Sequence, residues 1–172
     1  GQGLRKILLG HETGEISPRA EALLYAADRA HHVYSVIRPA LARGEVVISD
    51  RYFDSSIAYQ GAGRILSPGE VARISRWATE SLFPTLTIVI DLSAEIGISR
   101  LKSHDRLEAE PLAFHERVRQ EFLQLARLDP ERYLVVDGKQ TIQEIHAAII
   151  ARVAELPAIA KTDKPAKKIF KR

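Results

Sequence analysis

The stretch VVISDRYFDSSIAYQGAGR, residues 46–64, carries the first decision about the fold. Val46, Val47 and Ile48 form a short β-branched run, the composition of a strand buried in a parallel sheet. The run ends at Asp50 and passes at once into a polar segment with two arginines, two serines, a glutamine and two glycines. The pattern recurs downstream. LTIVID (residues 86–91) ends in Asp91, and YLVVD (residues 133–137) ends in Asp137, followed by Gly138. Both read as further buried strands. In open parallel sheets ligands sit beyond the carboxyl ends of strands, so the three aspartates point mildly to a site. Each alone is more often only structural, as a turn or cap residue.

Between these runs the apolar period changes to three and four residues. Residues 4–9 read as a short helix. Ser17-Pro18 opens a long one through Ala20, Leu23, Leu24, Ala27, Tyr34, Ile37 and Leu41 to about Arg43, with Pro39 kinking it and Gly44 ending it. Ser67-Pro68-Gly69-Glu70 reads as a capping box before Val71, Ile74, Ala78 and Leu82. Helices follow over about 94–102 and 111–127, and a second capping box, Thr141-Ile142-Gln143-Glu144, opens a last helix to about Glu155. Strands alternating with amphipathic helices define an α/β fold with a parallel sheet flanked by helices.

A length of 172 residues fits one domain, and 45% hydrophobic with 27% charged residues is an ordinary globular balance. The absence of cysteine excludes disulfides and cysteine-ligated metals. No apolar run reaches the ~18 residues of a membrane span, and no basic-then-apolar leader opens the chain, so the expectation is a cytoplasmic protein without membrane contact. The net charge of +3 is misleading. Residues 161–172 (KTDKPAKKIFKR) hold six Lys or Arg against one Asp, +5, which leaves −2 for the rest. The basic character belongs to a tail that reads as disordered, so the body is not expected to bind nucleic acid specifically.

Residues 50–64 suit an anionic ligand. Guanidinium forks match phosphate oxygens, hydroxyl and amide groups match sugar and base edges, and glycines allow close backbone approach. On composition alone, phosphate binding and a purely structural Arg–Asp pair stand level.

The order Asp50-Arg51-Tyr52, a serine, then Ala58-Tyr59-Gln60-Gly61-x-Gly63-Arg64 resembles the signature of the thymidylate kinase family. Ile37-Arg38-Pro39-Ala40-Leu41 before it and Phe83-Pro84 after it agree, and Thr85 stands where the family usually has Asp. The resemblance covers about residues 1–156, leaving 157–172 as the basic tail. It implies transfer of the γ-phosphate of ATP to dTMP with Mg²⁺, giving dTDP for dTTP synthesis, by a cytoplasmic homodimer. It implies that Arg51 holds the dTMP phosphate and that Asp50 lies near the magnesium shell, through water, and near the phosphoryl acceptor. Ser56 and Gln60 would give polar contacts, and Tyr59 would lie beneath the deoxyribose and exclude a 2′-hydroxyl. Tyr25 would stack on thymine and Arg29 would hydrogen-bond the base. The segment RLKSHDRLE, residues 100–108, resembles the family's lid, with Asp105, Arg106 and Glu108 as its Asp-Arg-x-Glu motif. Arg100, Lys102 and Arg106 are then the candidate cations for the moving phosphate, with Arg100 and Arg106 catalytic. Lys139 and Gln140 resemble the adenine cradle. Without the resemblance, the Tyr25–Arg29 pair reads as an ordinary amphipathic face and the lid segment as a solvated turn.

One part is missing. A P-loop has the form G-x-x-x-x-G-K-[ST], and the only Gly-Lys pair, Gly138-Lys139, is followed by Gln140. The resemblance therefore predicts a P-loop-kinase-like sheet lacking the first two of five strands. The facing edges of 46–50 and 86–91 would then be unpaired, and a stable monomer is not expected from these residues alone. Two alternatives remain on sequence: another deoxynucleoside or nucleotide kinase, and a chain that binds nucleotides without catalysis.

Overall fold

The computed structural model describes residues 2–64, 66–100 and 105–157. The basic tail beyond 157 and Lys102 of the lid segment lie outside the described residues.

A short helix, α1 (Gln2–Leu9), leads by a single 3₁₀ turn towards α2 (Pro18–His32). Ser17 caps α2, its hydroxyl accepting the Ala20 N–H at 3.3 Å, and Pro18 occupies the first turn, where its missing N–H is not needed. The long helix expected to about residue 43 is present in joined pieces: α2, a π-turn at Val33–Ile37, and α3 (Arg38–Ala42). The discontinuity has a local cause. The Pro39 ring would crowd the carbonyl of Ser35 in a regular helix, and the wider π-turn, with the Arg38 N–H reaching back to the Val33 carbonyl, relieves it. Gly44, at φ +75°, ends the run.

The polar segment after Asp50 is helical from Phe53. A turn of helix, α4 (Phe53–Ser56), runs straight into a π-helical segment, Ile57–Gly63. Its serines and glycines have poor helix propensity, but Phe53, Ile57 and Ala58 are buried, and packing overrides propensity. Gly63 is required by contact: a Cβ there would stand 2.7 Å from the Phe114 ring.

Next comes α5 (Pro68–Ala78). Its expected capping box does not form: the Ser67 side chain makes no capping hydrogen bond, and the Ser67 carbonyl alone receives the Glu70 and Val71 N–H groups. The box at Thr141 does form, with Glu144 closing it, at the start of α8 (Ile142–Ala154).

Among the described residues the sheet has two parallel strands, β1 (Thr87–Asp91) and β2 (Tyr133–Asp137), paired residue for residue from Thr87–Tyr133 to Asp91–Asp137. The crossover between them contains α6 (Ala94–Ser99), which ends earlier than the expected 102, and α7 (Leu112–Leu128). Residues 46–50, expected as a buried strand, join no ladder, and Ile48 is 92% exposed. A strand exists only by pairing, and among the described residues nothing pairs with this one. For the same reason β1 and β2 are less buried than expected: Ile88, Ile90 and Val135 are exposed.

The tightest packing lies away from the sheet. Ala58, Leu107, Phe114 and Val118 form a buried cluster, with Leu9, Tyr25, Tyr59 and Phe122 against it. A buried phenylalanine such as Phe114 contributes about 1.5–3 kcal/mol. This cluster joins α2, the π segment, α7 and the turn after residue 104; α2, the π segment and the turn carry Tyr25, Arg29, Tyr59, Gln60, Asp105, Arg106 and Glu108.

Candidate functional site

Tyr25 and Arg29 lie one turn apart on α2 and so share a face. Arg29 donates from Nη1 to Ser56 Oγ at 3.1 Å and lies 5.9 Å from the Tyr52 ring centroid. A helix residue expected to read a base is therefore in direct contact with a serine of the 50–64 segment. Tyr25 is half-buried. Burial, reinforced by the Glu21 carboxylate, pushes its phenol up to about 12, so it is a neutral flat ring at any working pH.

Arg51 has φ 61°, in the left-handed region that a side chain with a Cβ rarely adopts. The Ser49 hydroxyl donates to the Arg51 carbonyl at 2.8 Å and steadies the turn. This backbone sends the guanidinium over the Tyr59 ring, 4.9 Å from its centroid. Tyr59 is held edge-on by Phe114 and Phe122, at 6.0 and 6.5 Å. Strain of this kind costs on the order of 1–3 kcal/mol and persists where the surroundings enforce it, often at functional sites. Asp50, beside Arg51, is exposed.

The segment after residue 104 is built as a reciprocal turn. Asp105 accepts from the N–H groups of Leu107 and Glu108, both at 2.8 Å, and Glu108 accepts from the Asp105 N–H at 3.0 Å. Leu107 drops into the core, and Arg106 turns inward. Its Nε donates to the Leu8 carbonyl at 2.9 Å and its Nη2 to Glu21. Asp105 and Glu108 thus shape the backbone that aims Arg106.

Glu21 was not singled out by the sequence, although it sits one turn before Tyr25 and two before Arg29, an acid on the inward face of α2. It is fully buried. Its carboxylate accepts from Gln60 Nε2 at 3.0 Å, from Arg64 at 3.3 Å and from Arg106. Arg64 also pairs with Glu110. A second buried acid, Asp54, ties the segment to the sheet: it accepts from Arg132 at 3.0 and 3.2 Å, from the Tyr133 hydroxyl at 2.7 Å and from Thr87 at 3.3 Å. Sequence spacing gave no signal for it, since its partners lie 33, 78 and 79 residues away. Asp91 at the end of β1 is held by Arg119 through two hydrogen bonds, at 2.7 and 3.0 Å.

Tyr25, Arg29, Arg51, Ser56, Tyr59, Gln60 and Arg106 therefore gather around α2 and the π segment. Arg100 does not join them; it is exposed at the end of α6. Lys139 and Gln140 occupy an exposed turn after β2, tied back by Gly138, whose N–H donates to the Asp91 carbonyl at 2.8 Å. A groove of about 470 Å³ on the outer face of α7, lined by Ala62, Glu116 and Arg117 among others, touches none of these groups.

A parallel sheet packed by α7 and α8, with arginines and aromatic rings collected around α2 and the π segment, defines an α/β protein whose candidate site suits an anionic ligand with a flat ring. Comparison with known proteins is more specific. The family model described as thymidylate kinase matches residues 1–149. The thymidylate kinase of Clavibacter michiganensis subsp. michiganensis is 56% identical over 162 residues, which is 92% of this chain and 76% of the relative. That of Leifsonia xyli subsp. xyli is 57% identical over 157 residues, 89% of this chain and 74% of the relative. That of Cutibacterium acnes is 51% identical over 156 residues, 91% and 76%. The chain belongs to the thymidylate kinase family.

Proposed function

We propose that the protein transfers the γ-phosphate of ATP to dTMP. An oxygen of the dTMP phosphate attacks the γ-phosphorus, the bond to the β-phosphate oxygen breaks, and dTDP and ADP leave. The observation that carries the reading is Arg51, held in a left-handed conformation over Tyr59 while Arg29 holds Ser56 alongside.

Arg51 grips the dTMP phosphate with a charge-assisted fork. The Tyr59 ring lies beneath the sugar. Tyr25 stacks on thymine, and Arg29, Ser56 and Gln60 supply polar contacts to the nucleotide. Arg106 neutralises charge developing on the transferred group, with Arg100 and Lys102 as further cations of the lid. Lys139 and Gln140 flank the adenine of ATP. Asp50 would hold magnesium through water, and the ion would supply positive charge to offset that of the phosphates. Asp50 fits that part, an exposed carboxylate beside Arg51. A cytoplasmic homodimer completes the reading. Among the described residues no helix is long and apolar enough to cross a membrane, and Tyr34 and Trp77 are exposed apolar groups that a second copy would cover.

The test is ADP release by the full-length protein with dTMP, dUMP, UMP, CMP and AMP as acceptors. The expected outcome is a clear preference for dTMP, and a preference for a ribonucleotide would overturn the reading.

A further inference from the structure

The buried cluster around Glu21 divides two similar arginines into different kinds of group. Arg64 has every guanidinium nitrogen occupied: Nε and Nη2 go to Glu21 and Nη1 to Glu110. Arg106 has Nε on the Leu8 carbonyl and Nη2 on Glu21, and its Nη1 has no protein acceptor among the described residues. Two carboxylates, Glu21 and Glu110, face two guanidiniums, so the cluster is neutral as it stands. An arginine used only to balance a buried charge commits each of its nitrogens, as Arg64 does. One held by two fixed acceptors with a third nitrogen left over is aimed.

The acceptors come from two elements. Leu8 is on α1, and Glu21 is on the face of α2 that also carries Tyr25 and Arg29. Glu21 Oε1 receives Gln60, next to Tyr59, while Oε2 receives Arg106. One carboxylate therefore joins the groups proposed to hold the nucleotide to a cation proposed to act on the phosphate.

We propose that Glu21 is a positioning residue for phosphoryl transfer, fixing the Arg106 guanidinium so that its remaining nitrogen meets the transferred phosphate. Glu21 touches neither substrate. It acts through Arg106, and the inference rests on the dTMP kinase reading above. The charge state suits the role. Burial pushes the carboxyl up, but hydrogen bonds from Gln60, Arg106 and Arg64 outweigh it and hold the group below its usual range, so it is ionised at neutral pH.

The experiment compares wild type, Glu21→Gln, Arg106→Ala and the double variant in the full-length protein. A misplaced catalytic group lowers turnover more than binding, so Glu21→Gln should lower kcat by about tenfold to a hundredfold while the dTMP KM stays within about threefold. The double variant should be no slower than Arg106→Ala alone. Unchanged kcat in Glu21→Gln, or a double variant slowed by the product of both effects, overturns the proposal. The second readout needs no turnover. The Arg106 guanidinium proton–nitrogen signal, slowly exchanging in the wild type, should exchange much faster in Glu21→Gln, and an unchanged signal overturns the proposal. If Glu21→Gln does not fold, Glu21→Asp keeps the charge, shortens the reach and should show the same two effects. Wild-type protein inactive on dTMP would remove the kinase reading, while the guanidinium signal would still decide whether Glu21 holds Arg106.

Discussion

Arg51 and Arg64 belong to one short segment, yet their surroundings give them opposite duties. The Arg51 side chain is exposed apart from its ring contact with Tyr59, and its backbone is strained. Arg51→Ala should therefore leave stability nearly unchanged and weaken dTMP binding by on the order of 1.5–3 kcal/mol, with a further loss in kcat. Arg51→Gly should be equally inactive but more stable than the alanine variant by about 1 kcal/mol, because glycine enters the left-handed region freely. Arg64→Ala should do the reverse: it leaves Glu21 and Glu110 short of a partner, which costs about 3–5 kcal/mol of stability. Urea midpoints together with kcat/KM for dTMP check all three, and equal kinetic effects at 51 and 64 would place the phosphate elsewhere. Tyr59 carries a separate prediction. Tyr59→Ala opens space under the sugar without supplying a partner for a 2′-hydroxyl. The ratio of kcat/KM for dTMP to that for ribothymidine monophosphate should fall, mainly through the dTMP value, while thymine stays preferred over cytosine because Arg29 is untouched. An unchanged sugar ratio would take Tyr59 out of the site.

At the scale of elements, the π segment Ile57–Gly63 depends on close contact with α7. A Cβ at Gly63 would meet Phe114 at 2.7 Å and Val118 at 3.1 Å. Gly63→Ala must push the segment away or force the ring from its rotamer, an overpacking cost of about 1–3 kcal/mol. Because Phe114 also braces Tyr59, dTMP affinity should fall together with the urea midpoint. A variant as stable and as tight-binding as wild type would mean that the contact is not needed. This segment is also where the sequence was hardest to read. Serines and glycines spaced through residues 55–63 signal a turn, and the helix exists because Phe53, Ile57 and Ala58 find a core. By contrast α7, β2 and α8 carry their own period or cap, and their limits were legible to within about two residues. The candidate site divides the same way. Tyr25 and Arg29 were legible as a pair on one helical face, whereas Glu21, Asp54 and Glu110 owe their importance to partners distant in sequence, which spacing cannot reveal.

At the scale of the whole molecule, the sheet is the weak part of these 172 residues. Residues 46–50 have the β-branched composition of a strand but no partner among the described residues, where β1 is paired along one edge only. Ile88 and Ile90, on one face of β1, are exposed at 37 and 53% beside its unpaired edge, and Ile48 is exposed at 92%. Unpaired edges are templates for pairing with another chain, and exposed apolar patches promote association. The helical half is different: Glu21, Arg64, Arg106 and Asp54 hold it through buried charged contacts, and Phe114 and Val118 pack it. A polypeptide of these 172 residues, purified alone, should therefore keep helical circular dichroism, bind a hydrophobic dye such as ANS, and self-associate as its concentration rises. It should also fail to release ADP from ATP with dTMP. No G-x-x-x-x-G-K-[ST] motif occurs in it, and without such a cradle nothing holds the β- and γ-phosphates in line. The two properties have different remedies. Replacing Ile48 and Ile90 by threonine, which keeps β-propensity and reduces apolar surface, should lessen dye binding and association but leave ADP release at background. Light scattering, dye fluorescence and a coupled ADP assay with a heat-killed control measure the three quantities. A monodisperse chain that ignores the dye would mean that the free edges are satisfied within these residues, and turnover above background would mean that the phosphates are held by groups other than a P-loop.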